Sequence, residues 1–214
     1  MLHNLRNRFG VPARRVDAAL RSLQEKKGVL LIDHEDRKAE GDLVFCAATM
    51  TNAQMAQLIR ECSGIVRLCL PESKVQDLGL PPMVEENTSQ FHSAFTDSIE
   101  AARGITKGVS AHDRLVTVRA AIADGAKPED LHRPGHVFPL QSRNGGVLER
   151  PGHTEAVIDL MRLAGLPSYG VACELTNPDG TLAQLDQIMD FAEKEGYPIV
   201  TVEDLIEWRN DHPE

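Results

Sequence analysis

The tetrapeptide R-P-G-H occurs twice, as Arg133-Pro134-Gly135-His136 and as Arg150-Pro151-Gly152-His153, the second running into Thr154-Glu155. Proline and glycine favour turns over helix or strand interiors, so each copy reads as a tight bend presenting a cation beside an imidazole. Histidine titrates close to neutrality, which suits His136 to proton transfer; a structural histidine bonded to a backbone carbonyl is the alternative. In the second copy, Pro151-Gly152 brings the chain to the mouth of a helix. Its first amides, with Arg150 and the hydroxyl of Thr154, form an anion site suited to phosphate. His153 then stands beside the bound group as a metal ligand or base. Ordinary N-capping by Thr154, with Glu155 favoured by the helix dipole, is compatible with that reading.

Two further clusters carry charge. The stretch from Asp33 to Asp42 places Glu35, Asp36, Glu40 and Asp42 around Arg37 and Lys38, between two apolar runs. It is either a solvated hairpin loop or a catalytic loop hung from strand ends. Glu174 lies in the apolar run Val171-Ala172-Cys173-Glu174-Leu175. A carboxylate inside a buried strand must be paired or have its pKa raised, so Glu174 is either a salt-bridge partner or an acid or base.

The elements that must position these groups alternate along the chain. Apolar periodicity predicts helices over Val16–Lys27, Thr51–Cys62 (capped by Thr51), Ser110–Ala123, Thr154–Leu163, Leu182–Glu195 and Val202–Trp208. Short apolar runs predict strands at Gly28–Ile32, Leu43–Ala47, Ile65–Leu70, Ala94–Ile99, Val137–Leu140, Gly170–Leu175 and Pro198–Val200. Glu85 to Ser93 reads as an irregular loop, and Asn177-Pro178-Asp179-Gly180 as a turn. Strands and helices mix without a strict βαβ rhythm. The expected architecture is α+β: one layered domain over residues 1–214, core about 11–209, with a mixed sheet flanked by helices.

At 214 residues and a formal net charge of −9, the chain can bury a proper core and is a poor partner for nucleic acid or an anionic membrane. Any bound anion must be held by local cations. The apolar runs are strand-sized and the N-terminus has no signal-peptide core, so a cytoplasmic location is expected. Cys46, Cys62, Cys69 and Cys173 form no C-x-x-C pair and read as buried free thiols.

Together these residues resemble the 3,4-dihydroxy-2-butanone 4-phosphate synthase family. The resemblance runs from about Gly28 to Trp208, through Asp33-His34-Glu35-Asp36-Arg37, Glu40-Gly41-Asp42, Ala120–Gly125, Arg133–Leu140, Gly152–Ala156 and Cys173-Glu174-Leu175. It implies a lyase of the riboflavin pathway that splits D-ribulose 5-phosphate into a four-carbon ketose phosphate and formate. By resemblance, Arg150, Gly152, Thr154 and Arg37 hold the sugar phosphate, and His153 ligates magnesium or manganese. His136 and Glu174 transfer protons, and Glu40 and Asp42 handle the substrate hydroxyls. The family's active site lies at a homodimer interface, so His136 would serve the neighbouring subunit.

The departures are as informative. The family's loop reads D-D-E-D-R-E-N-E-G-D, and its glutamate after the arginine is the second metal ligand; here that position is Lys38, with His34 and Ala39 also changed. Arg67 stands where the family's G-I-V-C-L-C has its first cysteine, Phe95-Thr96-Asp97 replaces Phe-Thr-Val, and Thr106-Lys107-Gly108 replaces T-T-G. Magnesium prefers carboxylate oxygens, so His153 facing an ammonium implies weakened metal binding. Lys38, with Arg67, would then offer positive charge to the enediolate formed when a proton leaves the carbon beside the ketone, and Lys107 joins them as a substrate-binding candidate. A Schiff base from Lys38 to the ketone is the covalent variant. Three readings remain open: an ordinary synthase, a relative with altered or metal-independent chemistry on a ketopentose phosphate, and a non-catalytic sugar-phosphate-binding paralogue.

Overall fold

Burial on both faces explains why the strands read as continuous apolar runs rather than alternating ones. In the computed structural model, which describes residues 3–34 and 39–213, every residue of β1 (Val29–Ile32) is buried. Leu30 and Ile32 enter one core, while Val29 and Leu31 enter the other. A strand covered by helices on both sides has no polar face to show.

The order along the chain is α1 (His3–Phe9), α2 (Pro12–Gln24), β1, β2 (Gly41–Cys46), α3 (Asn52–Glu61), β3 (Arg67–Leu70), α4 (Glu72–Asp77), β4 (Ile99–Ala101), α5 (Ala111–Ile122), β5 (Leu131–Gln141), α6 (His153–Leu163), β6 (Gly170–Glu174), α7 (Leu185–Glu195), β7 (Ile199–Thr201) and α8 (Val202–Asp211). The seven strands form one sheet in the order β4-β5-β3-β6-β2-β1-β7. The pairs β1/β7 and β3/β5 are parallel, while β1/β2, β2/β6, β3/β6 and β4/β5 are antiparallel. The expected mixed sheet flanked by helices is therefore present.

Helices α3, α5 and α7 cover one face through residues such as Leu58, Val118 and Ile188, packed on Phe45, Leu68 and Val171. Helices α2, α6 and α8 cover the other through Val16, Ile158 and Leu205, packed on Val44 and Ala172. Helix α6 lies so close to β6 that a Cβ built on Gly170 would stand 2.2 Å from Val157 Cγ1. Local signals place the helix ends. Thr51 and Gln54 form a reciprocal capping box at α3, and the Ser110 hydroxyl accepts from the Asp113 amide at α5. All four cysteines are free and buried.

Several sequence expectations need correction. The first R-P-G-H is not a tight turn before a short strand; it lies inside β5, which runs from Leu131. The β4–β5 register shifts between Ile99 and Glu100, pairing them with Val137 and His132, so the motif forms an irregular bulge. Gly135 is required there because a Cβ would meet the Ile99 backbone carbonyl at 2.0 Å. The run from Ala94 to Ile99 forms isolated bridges at Phe95 and Thr96, and the strand proper begins at Ile99. Helix α2 starts earlier, with Pro12 in its first turn. Helices α1 and α4 were not anticipated; α4 has only 6 residues, too few for a period to show.

Candidate active site

Strand register gathers the central side chains. Asp42 on β2 lies directly opposite Glu174 on β6, and Arg67 on β3 lies opposite Ala172, two residues before Glu174. Paired residues, and residues two apart on a strand, share a face. Asp42, Glu174 and Arg67 therefore rise from the α6 side of the sheet, where His153 opens that helix. The Asp42 carboxylate is fully buried and both oxygens are engaged. Oδ1 accepts a short hydrogen bond from Arg67 Nη2, and Oδ2 lies 2.6 Å from His153 Nδ1. Arg67 Nη1 is 3.5 Å from Glu174 Oε1, completing a chain Glu174–Arg67–Asp42–His153.

The electrostatics follow from that chain. Burial alone would push the Asp42 carboxyl up, but the charges and hydrogen bonds of Arg67 and His153 outweigh it and hold the group below the usual carboxylate range. His153 is the reciprocal case: burial disfavours its cation, yet Asp42 raises its pKa overall. Glu174 goes the other way. Burial raises it, Arg67 opposes, and the negative charges of Asp42 and Glu40 reinforce the rise. A half-buried carboxyl with a raised pKa on an open site is suited to taking and returning a proton.

The second R-P-G-H behaves as a helix entry. Gly152 is the N-cap residue of α6 in an extended conformation with no side-chain cap, and the helix begins at His153, so Thr154 is a buried residue of the first turn and not the cap. The first amides of α6 are left for a ligand or solvent. Arg150 stands at this mouth with Nη1 2.6 Å from Glu155 Oε2 and Nη2 donating to the Phe91 carbonyl at 3.0 Å. Glu155, almost fully buried, also accepts from the Arg143 amide. Arg150 thus ties the loop bearing Phe91 to the start of α6.

His136 occupies a separate station. It lies in the unpaired bulge between His132 and Val137 and is 46% exposed. Its Nδ1 makes a short hydrogen bond with Glu100 Oε1 on β4, a contact the sequence reading missed because the β4–β5 bulge creates it. The expected companion Arg133 instead donates to the Leu78 carbonyl. Lys107 belongs to the same end. Asp113 accepts from the amides of Thr106, Lys107 and Gly108, and Gly108 packs so closely that a Cβ there would lie 1.7 Å from Glu100 Oε1. Asp97 lines a cavity of about 410 Å³ with Met83, Ser98, Arg133 and Pro134. Glu40 is exposed just before β2, and Arg37 and Lys38 lie outside the described residues.

A carboxylate on Nδ1 fixes the imidazole orientation and leaves Nε2 for substrate. Glu100→Gln is therefore expected to lower kcat by roughly tenfold to a hundredfold with little change in KM, measured by steady-state kinetics. An unchanged kcat would mean His136 needs no such partner.

The family model described as 3,4-dihydroxy-2-butanone 4-phosphate synthase matches residues 17–208. The chain belongs to that family. A synthase of that name from Desulforamulus reducens is 60% identical over 212 residues, covering 99% of this chain and 98% of the relative. The crystal structure of a two-domain 3,4-dihydroxy-2-butanone 4-phosphate synthase from A. baumannii is 42% identical with a TM-score of 0.88, covering 94% of this chain and 59% of that one. A synthase crystal structure in complex with two magnesium ions is 32% identical, with a TM-score of 0.87 over 92% of this chain and 97% of that one.

The residues described here fit such an ion poorly. Both Asp42 oxygens are taken, Glu174 faces a guanidinium, and among the described residues no three His, Cys, Asp or Glu side chains converge on a common point. His153 does have Nδ1 held by the Asp42 carboxylate, as metal-ligating imidazoles commonly do. The position paired with it by family resemblance is Lys38. Were Lys38 to stand where the resemblance implies, an imidazole and an ammonium would be a poor donor set for a hard divalent cation.

Proposed function

We infer that this chain carries out its family's reaction, converting D-ribulose 5-phosphate into 3,4-dihydroxy-2-butanone 4-phosphate and formate. The products together contain all the atoms of the substrate, so the conversion needs proton transfers and a skeletal rearrangement but no oxidant or reductant. The observation that carries the reading is the Glu174–Arg67–Asp42–His153 chain at the uncapped amide end of α6. It joins a proton-transferring carboxyl to an anion site.

The roles divide by station. The α6 amides from Gly152 onward, with Arg150, Thr154 and Arg37, hold the phosphate. Glu174 and His136 move protons, and Glu40 and Asp42 orient the hydroxyls. The outer face of β5 presents His132, Pro134 and His136 to solvent, and Met83 (41% exposed), Val84 (52%) and Phe91 (69%) are exposed as well. This uncovered surface supports a homodimer with a shared active site, in which His136, Glu100 and Lys107 face the partner's phosphate station. The whole chain, 1–214, then acts as one synthase-like domain in the cytoplasm, with no nucleic acid or membrane partner. Among the described residues, no helix is long and apolar enough to cross a membrane.

A second reading, favoured by the donor set around His153, is the same chemistry with a weakened or dispensable metal, Lys38 supplying charge to the enediolate. The test is formate release from ribulose 5-phosphate, with magnesium and with chelator. Formate in equal amount to substrate consumed supports the reaction. Formate released only with magnesium, at a rate unaffected by Lys38→Glu, removes the second reading. Binding without turnover under every condition would leave the paralogue.

A further inference from the structure

Among the described residues, Arg67 is the group on the α6 face that touches both carboxylates of the central chain. It donates to Asp42 through Nη2 and faces Glu174 through Nη1, with its side chain only 14% exposed. Guanidinium stays protonated at every accessible pH, so its charge is a fixed part of the site. An arginine in a surface salt bridge would be unremarkable, but this one rises from the middle of a buried sheet. It enters the space ringed by Asp42, Glu174 and, through Asp42, His153. Asp42 and Glu174 contribute two negative charges, and Arg67 with the Asp42-paired imidazole offsets them inside the protein.

We propose that Arg67 is the resident cation of this site: a positioning residue that spaces Asp42 and Glu174 and offsets their charge, so that the acidic pocket accepts an anionic substrate without a tightly held divalent ion. This deepens the proposed reading of the same site and explains the poor donor set as compensated charge. A bound divalent ion near His153 would meet the guanidinium as a repelling neighbour. Even screened as in a protein interior, a unit charge several ångströms from a doubly charged ion shifts affinity by roughly tenfold or more.

The test is manganese titration followed by electron paramagnetic resonance, on the full chain and on Arg67→Lys and Arg67→Met, with circular dichroism confirming the fold. The unmodified protein is expected to bind manganese with a dissociation constant of about 0.1–1 mM or weaker, no tighter than the weakest carboxylate sites. Arg67→Lys should remain within about threefold of it, and Arg67→Met should bind roughly tenfold or more tightly. A folded Arg67→Met with unchanged affinity would overturn the proposal. So would tight manganese binding, below about 10 µM, by the unmodified protein, and that arm stands even if Arg67→Met does not fold. Because the readout is metal affinity, a protein that releases no formate yet shows these affinities would remove the reaction and leave the role of Arg67 standing.

Discussion

Glu174→Gln is expected to lower kcat on ribulose 5-phosphate by about 10²- to 10⁴-fold, the usual contribution of a positioned acid or base, with KM changed little. The amide keeps the shape of the side chain and its position against Arg67 but cannot take a proton. The pH dependence follows from the direction of its shift. Burial, reinforced by Asp42 and Glu40 and opposed by Arg67, raises the Glu174 pKa above that of an ordinary glutamate. A base works only when ionised, so the acid limb of kcat/KM should lie above the ordinary glutamate range, activity being lost as pH falls through the raised value. Arg67→Met removes the opposing cation and should move that limb to still higher pH. For stability the sign is reversed: the fold favours protonated Glu174, and that contribution fades as pH rises.

The largest effect on stability is expected at Asp42. Its carboxylate is fully buried between Arg67 and His153, so Asp42→Ala strands the imidazole without its counter-charge and leaves the guanidinium only Glu174, 3.5 Å away. Breaking a buried ion pair by removing one partner costs about 3–5 kcal/mol. In a chain of this size that corresponds to a drop in melting temperature of roughly 6–20 °C, readable by calorimetry. Adding Arg67→Met to Asp42→Ala should restore part of the loss, because the penalty lies in the uncompensated charge and not in the lost contact. If the double variant is less stable than Asp42→Ala, Arg67 packs into the core in its own right.

The site was legible where local chemistry sets the structure. Gly152 followed by His153-Thr154-Glu155 announces a helix mouth in any context, and the structure starts α6 there. Glu174 in an apolar run had to be paired or shifted; it is near Arg67 and shifted upward as well. Strand pairing was not legible, because register depends on which strands become neighbours. Nothing local says that Arg67 will stand beside Ala172, and hence between Asp42 and Glu174, or that Glu100 will meet His136 across a bulge. The first R-P-G-H misled for the same reason. Pro134 and Gly135 favour a turn on their own, but pairing with β4 draws them into a bulged strand. The identical letters at 133–136 and 150–153 therefore have different structures, one inside a sheet and one opening a helix.

The most direct measurement of the central claim is carbon NMR of uniformly carbon-13-labelled ribulose 5-phosphate incubated with the protein in excess chelator. Equal amounts of labelled formate and a four-carbon ketose phosphate are predicted, because the charges that organise the site belong to the chain itself. Substrate that stays intact in chelator, or is only epimerised there without formate, would contradict the account, whether or not added magnesium restores formate.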